Sequence, residues 1–272
     1  MILVVGDFAY GNPIRDPDHV TGTAGGITNL AGQRKILDLA KRHDREVWFD
    51  VHVGTDGPRP DASVAGMFSF ADALDKLADG ARHRVAVFEF NAGNHSQRRA
   101  LANALAIQAI ERDGRLSVAT SANGLQPDGQ NDNGWNQGLL FLNPSQVWLQ
   151  PPGYVTRMIS RNYEPLLVRA EVQSPGNQLD MTAKRSADGR ILVLQVVNGS
   201  EKALRTAIRL DGFAPSKPTA AVEELSGPLD AVNTADAPRR IVPKQTPWRH
   251  ALTGGNGELT FAPRSFTIVR FE

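Results

Sequence analysis

The sequence predicts an α/β region followed by an all-β region. Over residues 1–163, short apolar strands alternate with amphipathic helices, which is typical of a parallel sheet with helical crossovers. From residue 164 onward, short strands are separated by turns containing Gly, Pro, Asn and Asp, which is typical of an antiparallel sandwich. We therefore predict an α/β domain over residues 1–163 and a β-sandwich domain over residues 164–272.

Strand–helix units account for the first region. We predict strands at 2–10, 46–53, 84–91, 116–123, 139–142 and 147–149, and helices at 31–43, 69–77, 96–112 and 154–161. The helices show apolar residues at helical spacing, as at Leu101, Ala104 and Leu105. Because a (β/α)8 barrel takes about 250 residues for eight units, the four units here predict a partial barrel of that type.

The alternative for this region is a doubly wound open sheet. Such sheets often have a glycine-rich phosphate loop after a strand, and the chain contains neither GxGxxG nor GxxxxGK[ST]. The nearest stretch, Gly22–Gly26, follows no strand directly, so we interpret it as an ordinary loop. The partial barrel is therefore the favoured prediction.

Short strands account for the second region as well. We predict them at 165–173, 178–184, 190–198, 203–210, 219–225, 239–242, 258–261 and 265–271. Turn sequences such as Ser174–Asn177 and Ala187–Gly189 lie between them. This spacing predicts the sandwich.

Composition excludes several classes of function. The net charge is +1 without a basic run, so we expect no nucleic acid or membrane partner. The chain has no cysteine, and its six histidines form no HExxH pair, so we expect neither a metal nor another cofactor. No secretory signal or membrane-length apolar run is present, which predicts a cytoplasmic protein for the chain as given.

Glu89 is the first candidate for chemistry. It lies near the carboxyl end of the apolar run Arg84–Asn91, which resembles a buried parallel strand. In α/β barrels that end of the strand holds the catalytic groups, and a carboxylate there needs a partner. Glu89 is therefore either a catalytic carboxylate or a structural acid bound to a neighbouring base or to loop amides.

The strand at 46–53 offers further polar candidates. Its residues alternate between an apolar face of Val47, Phe49, Val51 and Val53 and a second face of Trp48, Asp50 and His52. Asp50 and His52 therefore point in one direction. For both, the alternative to a functional role is a structural hydrogen bond; Asp7, near the end of the first strand, has the same two interpretations.

Several segments together point to a known family. They are Val87–Asn91, Arg99–Ala106, Ser121–Asn123, Asn133–Asn136, Pro151–Val155, Leu225–Gly227, Asp230–Thr234 and Pro263–Thr267. In these segments the chain resembles the carboxyl-terminal part of the family-51 α-L-arabinofuranosidases, retaining glycosidases with a barrel and a β-sandwich. The resemblance covers most of the chain and implies that the four units are the last four of the barrel.

The resemblance also implies roles for individual residues. Glu89 matches the nucleophile of a double displacement, in which a second carboxylate about 5–5.5 Å away acts as acid and then base. His52 resembles the family's active-site histidine. Asp50, Asn123 and Trp135 are candidates for contact with the sugar. The implied partner is an arabinose-containing oligo- or polysaccharide such as arabinoxylan or arabinan.

Two departures from the family limit this interpretation. The aromatic residue that usually follows the histidine is missing from His52-Val53-Gly54. The family's acid/base glutamate lies in an Asn-Glu motif on the fourth barrel strand, and no Asn-Glu occurs in this chain. We therefore expect the chain alone to be inactive or a poor catalyst. The chain is then either a truncated gene product or the partner of a separate amino-terminal barrel half. A homo-oligomer is a third alternative.

Two other functions stay open. The chain is a non-catalytic carbohydrate-binding or scaffold remnant in the first alternative. In the second it is a related endoglucanase on the same barrel, because the loops that distinguish these substrates are not in this sequence.

Overall fold

Four parallel strands form the first sheet of the computed structural model, which describes residues 2–6, 30–57, 61–116, 118–130, 136–252 and 256–272. In spatial order they are β1 (Leu3–Val5), β2 (Val47–Gly54), β3 (His83–Asn91) and β4 (Ala119–Ser121). The helices α1 (Ala31–Arg42), α2 (Asp61–Leu77) and α3 (Gln97–Asp113) connect or follow them. The predicted alternation of strand and helix is confirmed, whereas membership of a barrel stays a prediction.

Helix α3 is bounded by residues suited to its ends. Ser96 occupies the position before its first turn, and Gly114 ends it with a φ of 77°, a conformation that glycine adopts without strain. Helix α2 is longer than predicted, because it begins at Asp61 rather than at residue 69. Its buried Val64, Met67 and Phe70 continue one apolar stripe, which Gly66 partly obscures in the sequence.

A small sheet follows β4. Strand β5 (Leu125–Pro127) pairs in parallel with β6 (Leu140–Asn143), which forms an antiparallel hairpin with β7 (Gln146–Leu149). The predicted strand at 116–123 is shorter in the structure, and β5 was not predicted. Helix α4 (Pro151–Arg161) begins three residues earlier than predicted, with prolines in its first turn, where a missing N–H costs nothing.

The described residues of the second region form eight strands. They are β8 (Leu166–Val168), β9 (Leu179–Arg185), β10 (Leu192–Asn198), β11 (Leu204–Arg209), β12 (Thr219–Ser226), β13 (Lys244–Arg249), β14 (Asn256–Phe261) and β15 (Ser265–Phe271). Six form an antiparallel sheet in the order β13-β12-β15-β10-β9-β8, and β11 pairs with β14 in a second sheet. This agrees with the predicted sandwich.

The strand predicted at 239–242 is wrong. The chain instead forms β13 at Lys244–Arg249, where Pro247 pairs with Ala221. A proline is tolerated there because β13 is the outer strand of the sheet, so that only one of its sides needs N–H donors. In the sequence, the two prolines at 243 and 247 obscure this strand.

The six-stranded sheet is buried on both faces. Along its strand β10, Leu192, Leu194 and Val196 pack against the second sheet of the sandwich. Val193 and Val197 point the other way and pack against α3 and α4. Helices α3 and α4 therefore share a core with the sandwich. The predicted domain division at residue 163 stays a prediction, and α4 ends at Arg161 close to it.

Helix α3 is packed on two sides. Its Ala106 and Ile110 lie in the core between the first sheet and the helices, and its Ala100, Leu101 and Ala104 lie in the core of the sandwich side. Polar contacts add to this second interface, since Lys184 of β9 donates to Glu111 at 2.5 Å. The helix that follows β3 is thus fixed between two layers.

Among the described residues, none of the helices has both the length and the apolar character that a membrane span requires.

The two leucines of α1 provide a test of this packing. Leu37 is 1% exposed and Leu39 is 43% exposed, although they lie two residues apart on one helix. We expect Leu37→Ala to lower the free energy of unfolding by about 2–5 kcal/mol, because it leaves a cavity in the core. Leu39→Ala should change it by about 0.5 kcal/mol or less. Urea denaturation measures both, and equal effects would contradict the placement of α1.

Candidate active site

Strand β2 directs three side chains away from the helices. Its apolar residues Val47, Phe49, Val51 and Val53 are at most 1% exposed and pack in the core with α1 and α2. The intervening residues Trp48, Asp50 and His52 therefore lie on the opposite face of the first sheet, which we call the open face. The alternation predicted for this strand is confirmed.

Strand β3 reaches the same face through a β-bulge. Asp50 pairs with Ala86, but His52, two residues later, pairs with Glu89, three residues after Ala86. The register against β4 shifts by one residue in the same place, between Val87 and Phe90. Strand β3 thus contains one extra residue relative to both of its neighbours.

The bulge decides which way Glu89 points. Val85 and Val87 pack in the core with the helices, and unbroken alternation would direct Glu89 there as well. After the bulge, Phe90 takes the core position and is fully buried. Glu89 and Asn91 consequently lie on the open face, beside His52.

Side chains of both neighbouring strands bind the backbone of the bulge. The Phe88 N–H donates to Oδ1 of Asp50 at 3.0 Å. The hydroxyl of Thr120 donates to the Phe88 carbonyl at 2.6 Å. The two backbone groups that lose regular sheet partners at a bulge are therefore satisfied.

The second oxygen of Asp50 connects the bulge to His52. Asp50 Oδ2 lies 3.0 Å from His52 Nε2, and the other ring nitrogen, Nδ1, lies 3.2 Å from Asn91 Nδ2 and 3.4 Å from Glu89 Oε2. Because the amide nitrogen of Asn91 can only donate, Nδ1 accepts from it and Nε2–H donates to Asp50. In the imidazolium form, Nδ1–H forms an ion pair with Glu89.

The three side chains differ in their access to solvent. The side chain of Asp50 is 10% exposed, that of His52 31% and that of Glu89 41%. Asp50 is therefore an internal group with both oxygens engaged, whereas Glu89 presents its carboxylate to solvent. This arrangement can hold an accessible nucleophile in a fixed orientation.

Arg99 of α3 fixes the ends of the neighbouring strands. Its guanidinium is fully buried and donates to the carbonyls of Phe90 at the end of β3 and of Ala122 just after β4. It also donates to the carbonyls of Asn94 and Gln137. Burial lowers the pKa of Arg99 to about 10, against a smaller raising effect of the Asp56 charge. The residue remains charged at neutral pH and joins four chain segments.

The other predicted site residues are placed as follows. Asn123 follows β4 at the same edge of the sheet as Glu89, is partly exposed, and its carbonyl accepts from the Leu139 N–H at 2.9 Å. Trp135 and Asp7 lie outside the described residues. The structure therefore brings Glu89, His52 and Asp50 together, with Asn123 at the same edge.

Sequence reasoning did not single out Asn91 or His95. Asn91 holds the His52 ring, and its position two residues after Glu89 in a strand was a usable signal for the same face. His95 packs on Phe141 with ring centroids 4.6 Å apart and binds the Asn136 carbonyl through Nδ1 at 3.1 Å. Burial lowers the pKa of His95, so the ring is neutral near pH 7. No sequence pattern indicated this contact.

Comparison with known proteins gives a family match. A family model described as "Alpha-L-arabinofuranosidase C-terminal domain" matches residues 86–265, well over half of the chain. The matched region includes β3 with Glu89 and nearly all of the sandwich. A search of curated proteins found no match.

Solved structures of arabinofuranosidases have a similar fold. The α-L-arabinofuranosidase of Thermotoga maritima, solved as an arabinose complex, is 19% identical with a TM-score of 0.64. The match covers 84% of this chain and 52% of the Thermotoga chain. The family-51 enzyme AbfB of Bifidobacterium longum is 15% identical (TM-score 0.65; 88% and 55% covered). The GH51 arabinofuranosidase of Xanthomonas axonopodis pv. citri is 12% identical (TM-score 0.63; 100% and 58% covered). The chain thus spans little more than half the length of these structures, and at these identities the likeness establishes the fold alone.

Asp50→Asn tests the bulge. An asparagine offers one oxygen for the two donors, the Phe88 N–H and His52 Nε2–H, so one of them loses its acceptor. We expect the free energy of unfolding to fall by about 1–3 kcal/mol, and the imidazole ¹⁵N signals of His52 to shift in NMR spectra. Asp211→Asn is the control, because Asp211 forms an exposed pair with Arg209. Unchanged His52 signals in Asp50→Asn would contradict the contact.

Arg99→Lys tests the connection between strand ends. A lysine ammonium has three donors at one point and cannot reach four carbonyls in the directions that the guanidinium fork reaches. We expect a loss of at least about 2 kcal/mol in the free energy of unfolding. The adjacent Arg98 is exposed, so Arg98→Lys is the matched control and should have little effect. Equal midpoints of denaturation for the two variants would contradict the role of Arg99.

Proposed function

Because the chain belongs to the family of α-L-arabinofuranosidase C-terminal domains, we propose that it is the carboxyl-terminal part of a retaining glycosidase acting on terminal arabinofuranosyl residues. The observation that carries this proposal is the position of Glu89, an accessible carboxylate at the end of β3, held beside His52. In this proposal the four parallel strands are the last four of a (β/α)8 barrel, and Glu89 stands on the seventh.

Glu89 acts as the nucleophile in this mechanism. Its carboxylate attacks the anomeric carbon while a second carboxylic acid protonates the departing oxygen, and the glycosyl–enzyme ester is then hydrolysed by water. His52 lies on the Oε2 side of Glu89, and no described residue donates a hydrogen bond to Oε1. We assign the attack to Oε1, with His52 orienting the carboxylate.

The remaining candidates take supporting roles. Asp50 positions His52 and the bulge, since both of its oxygens are already occupied within the protein. We propose Asn123 and Trp135 as contacts of the sugar, Asn123 because it is partly exposed at the same edge as Glu89. The arabinose complex of the Thermotoga maritima relative supports an arabinose-containing oligo- or polysaccharide as the ligand.

We propose that the proton donor comes from another polypeptide segment, since the family's acid/base glutamate lies in an Asn-Glu pair and this chain contains none. A second copy of the chain has the same sequence and therefore cannot supply the pair either. We propose a separate amino-terminal barrel half as the partner. The open face supports a cover of this kind: Val4 pairs with Trp48 on that face, and Val4 is 58% exposed.

An activity assay with matched variants tests this proposal. We expect the purified chain to hydrolyse 4-nitrophenyl α-L-arabinofuranoside very slowly, and expect activity when a polypeptide encoded upstream of it is co-expressed. Glu89→Gln should lower that activity by about three orders of magnitude or more, because it removes the nucleophile. Glu171→Gln, at an acid that is 69% exposed, should leave it unchanged.

The outcomes separate the two parts of the proposal. Rapid turnover by the chain alone that is lost in Glu89→Gln would contradict the need for a partner half. Turnover that survives Glu89→Gln would contradict the role of Glu89 as nucleophile.

The missing Asn-Glu pair favours a second candidate, a non-catalytic carbohydrate-binding module. Equal sugar affinity in the wild type and Glu89→Ala, without turnover even in the presence of the partner polypeptide, would favour it over the enzyme.

A further inference from the structure

A groove of about 450 Å³ lies on the part of the molecule where the β6–β7 hairpin, α4 and the 238–243 segment of the sandwich region meet. Its apolar lining includes Leu140, Val147, Pro238, Val242 and Pro243. Among the described residues, the charged ones that line it are Arg157 of α4 and Arg239. The groove therefore combines apolar walls with positive charge.

Neither arginine has an acidic partner among the described residues. The guanidinium carbon of Arg157 lies 4.6 Å from the centre of the Tyr154 ring, and its Nε is shielded from solvent without a hydrogen-bond acceptor. Arg239 is exposed and makes no ion pair with a described residue. Both guanidinium groups line the same groove, so an anion bound there can pair with them without displacing an acidic side chain.

Hydrogen bonds to the sandwich region hold the hairpin that lines the groove in place. The carbonyl of Asn233 accepts from Trp148 Nε1 at 3.1 Å and from Gln150 Nε2 at 2.8 Å. The Asn233 side chain donates to the Leu149 carbonyl at 2.7 Å, and Gln146 donates to the Ala235 carbonyl at 2.8 Å. These bonds join the end of the β6–β7 hairpin to residues 233–235, which lead into the lining segment 238–243. A ligand would thus bind to a preformed surface, which reduces the entropic cost of binding.

We propose that this groove binds the carboxylate of a hexuronic acid residue in an acidic polysaccharide. The planar N–H fork of arginine matches a carboxylate, and the proline and valine surfaces suit the C–H face of a sugar ring. The inference of a carboxylate is based on the two arginines alone. The inference that it belongs to a polysaccharide depends on the proposed function. A nucleic acid fits less well, because the chain has a net charge of +1 and no basic run to extend the contact.

Calorimetric titration of the full chain with trigalacturonic acid tests this proposal. We expect saturable binding that weakens as salt is added and is at least about tenfold weaker for the methyl-esterified, uncharged trisaccharide. Arg239→Gln and Arg157→Gln should each weaken binding of the free acid by a similar factor. Arg240→Gln is the matched control, since Arg240 is exposed and adjacent to Arg239 but does not line the groove.

Several outcomes would overturn the proposal. One is equal affinity for the acid and its ester, and another is equal weakening by Arg240→Gln and Arg239→Gln. Acetate binding as tightly as the trisaccharide would show a simple anion site and overturn the saccharide part. Because Arg157 packs on Tyr154, thermal unfolding must confirm that Arg157→Gln is folded; the exposed Arg239 keeps the test decisive if it is not.

The readout also separates this proposal from the proposed function. Binding is measured without hydrolysis, and Glu89→Gln is expected to bind trigalacturonic acid as the wild type does. Loss of arabinofuranosidase activity with retained binding of trigalacturonic acid supports the binding role of the groove. Absence of that binding in an active enzyme overturns the binding role of the groove and leaves the proposed function intact.

Discussion

The hydrogen bond between the Asp50 carboxylate and the Phe88 N–H is the contact on which the site depends. It stabilises the extra residue of β3, and that residue turns Glu89 from the helix side of the sheet to the open face. Without the bulge, the Glu89 carboxylate would enter the apolar core beside Val85 and Val87, where an unpaired charge costs several kcal/mol. The same Asp50 side chain orients His52, so one carboxylate sets both the direction of Glu89 and the orientation of its neighbour.

The sandwich contributes to this site at a distance. It packs on one side of α3, and the first sheet packs on the other. From this fixed helix, the buried Arg99 reaches the carbonyls at the carboxyl ends of β3 and β4. A charge without a carboxylate partner is tolerated there because four carbonyl oxygens accept the hydrogens of its two terminal nitrogens, although the buried Nε has no acceptor among the described residues. The position of Glu89 therefore depends on contacts that extend from the sandwich through α3 to the strand ends.

Alternation along the strands predicted the faces of β2 but not the direction of Glu89, which only the family resemblance implied. Every second residue of β2 is apolar, so alternation alone assigned Asp50 and His52 to one face. In β3, Phe88 and Phe90 flank Glu89, and periodicity there carries no sign of a bulge. The contact that creates the bulge joins Asp50 to Phe88, 38 positions later in the chain, and short-range patterns do not report such contacts.

An edge strand and a glycine within a helix explain two other differences between the predicted and the observed elements. Strand β13 was missed because prolines usually argue against strands, and only its outer position in the sheet permits Pro247. The start of α2 was missed because Gly66 weakens the helical signal, although tertiary packing of Val64 and Met67 overrides it. In both cases the deciding factor was the position of a neighbouring element.

The exposure of the open face bears on what completes the site. Retaining glycosidases act through two carboxyl groups about 5–5.5 Å apart, within a pocket that excludes bulk water around the reacting sugar. Here the nucleophile candidate Glu89 is 41% exposed and Val4 on the same face is 58% exposed. A cover over this face would bury the apolar residue and raise the strength of every electrostatic contact of Glu89 and His52. Under the proposed function the second carboxyl group faces this same surface, so a single partner segment would supply both the cover and the acid.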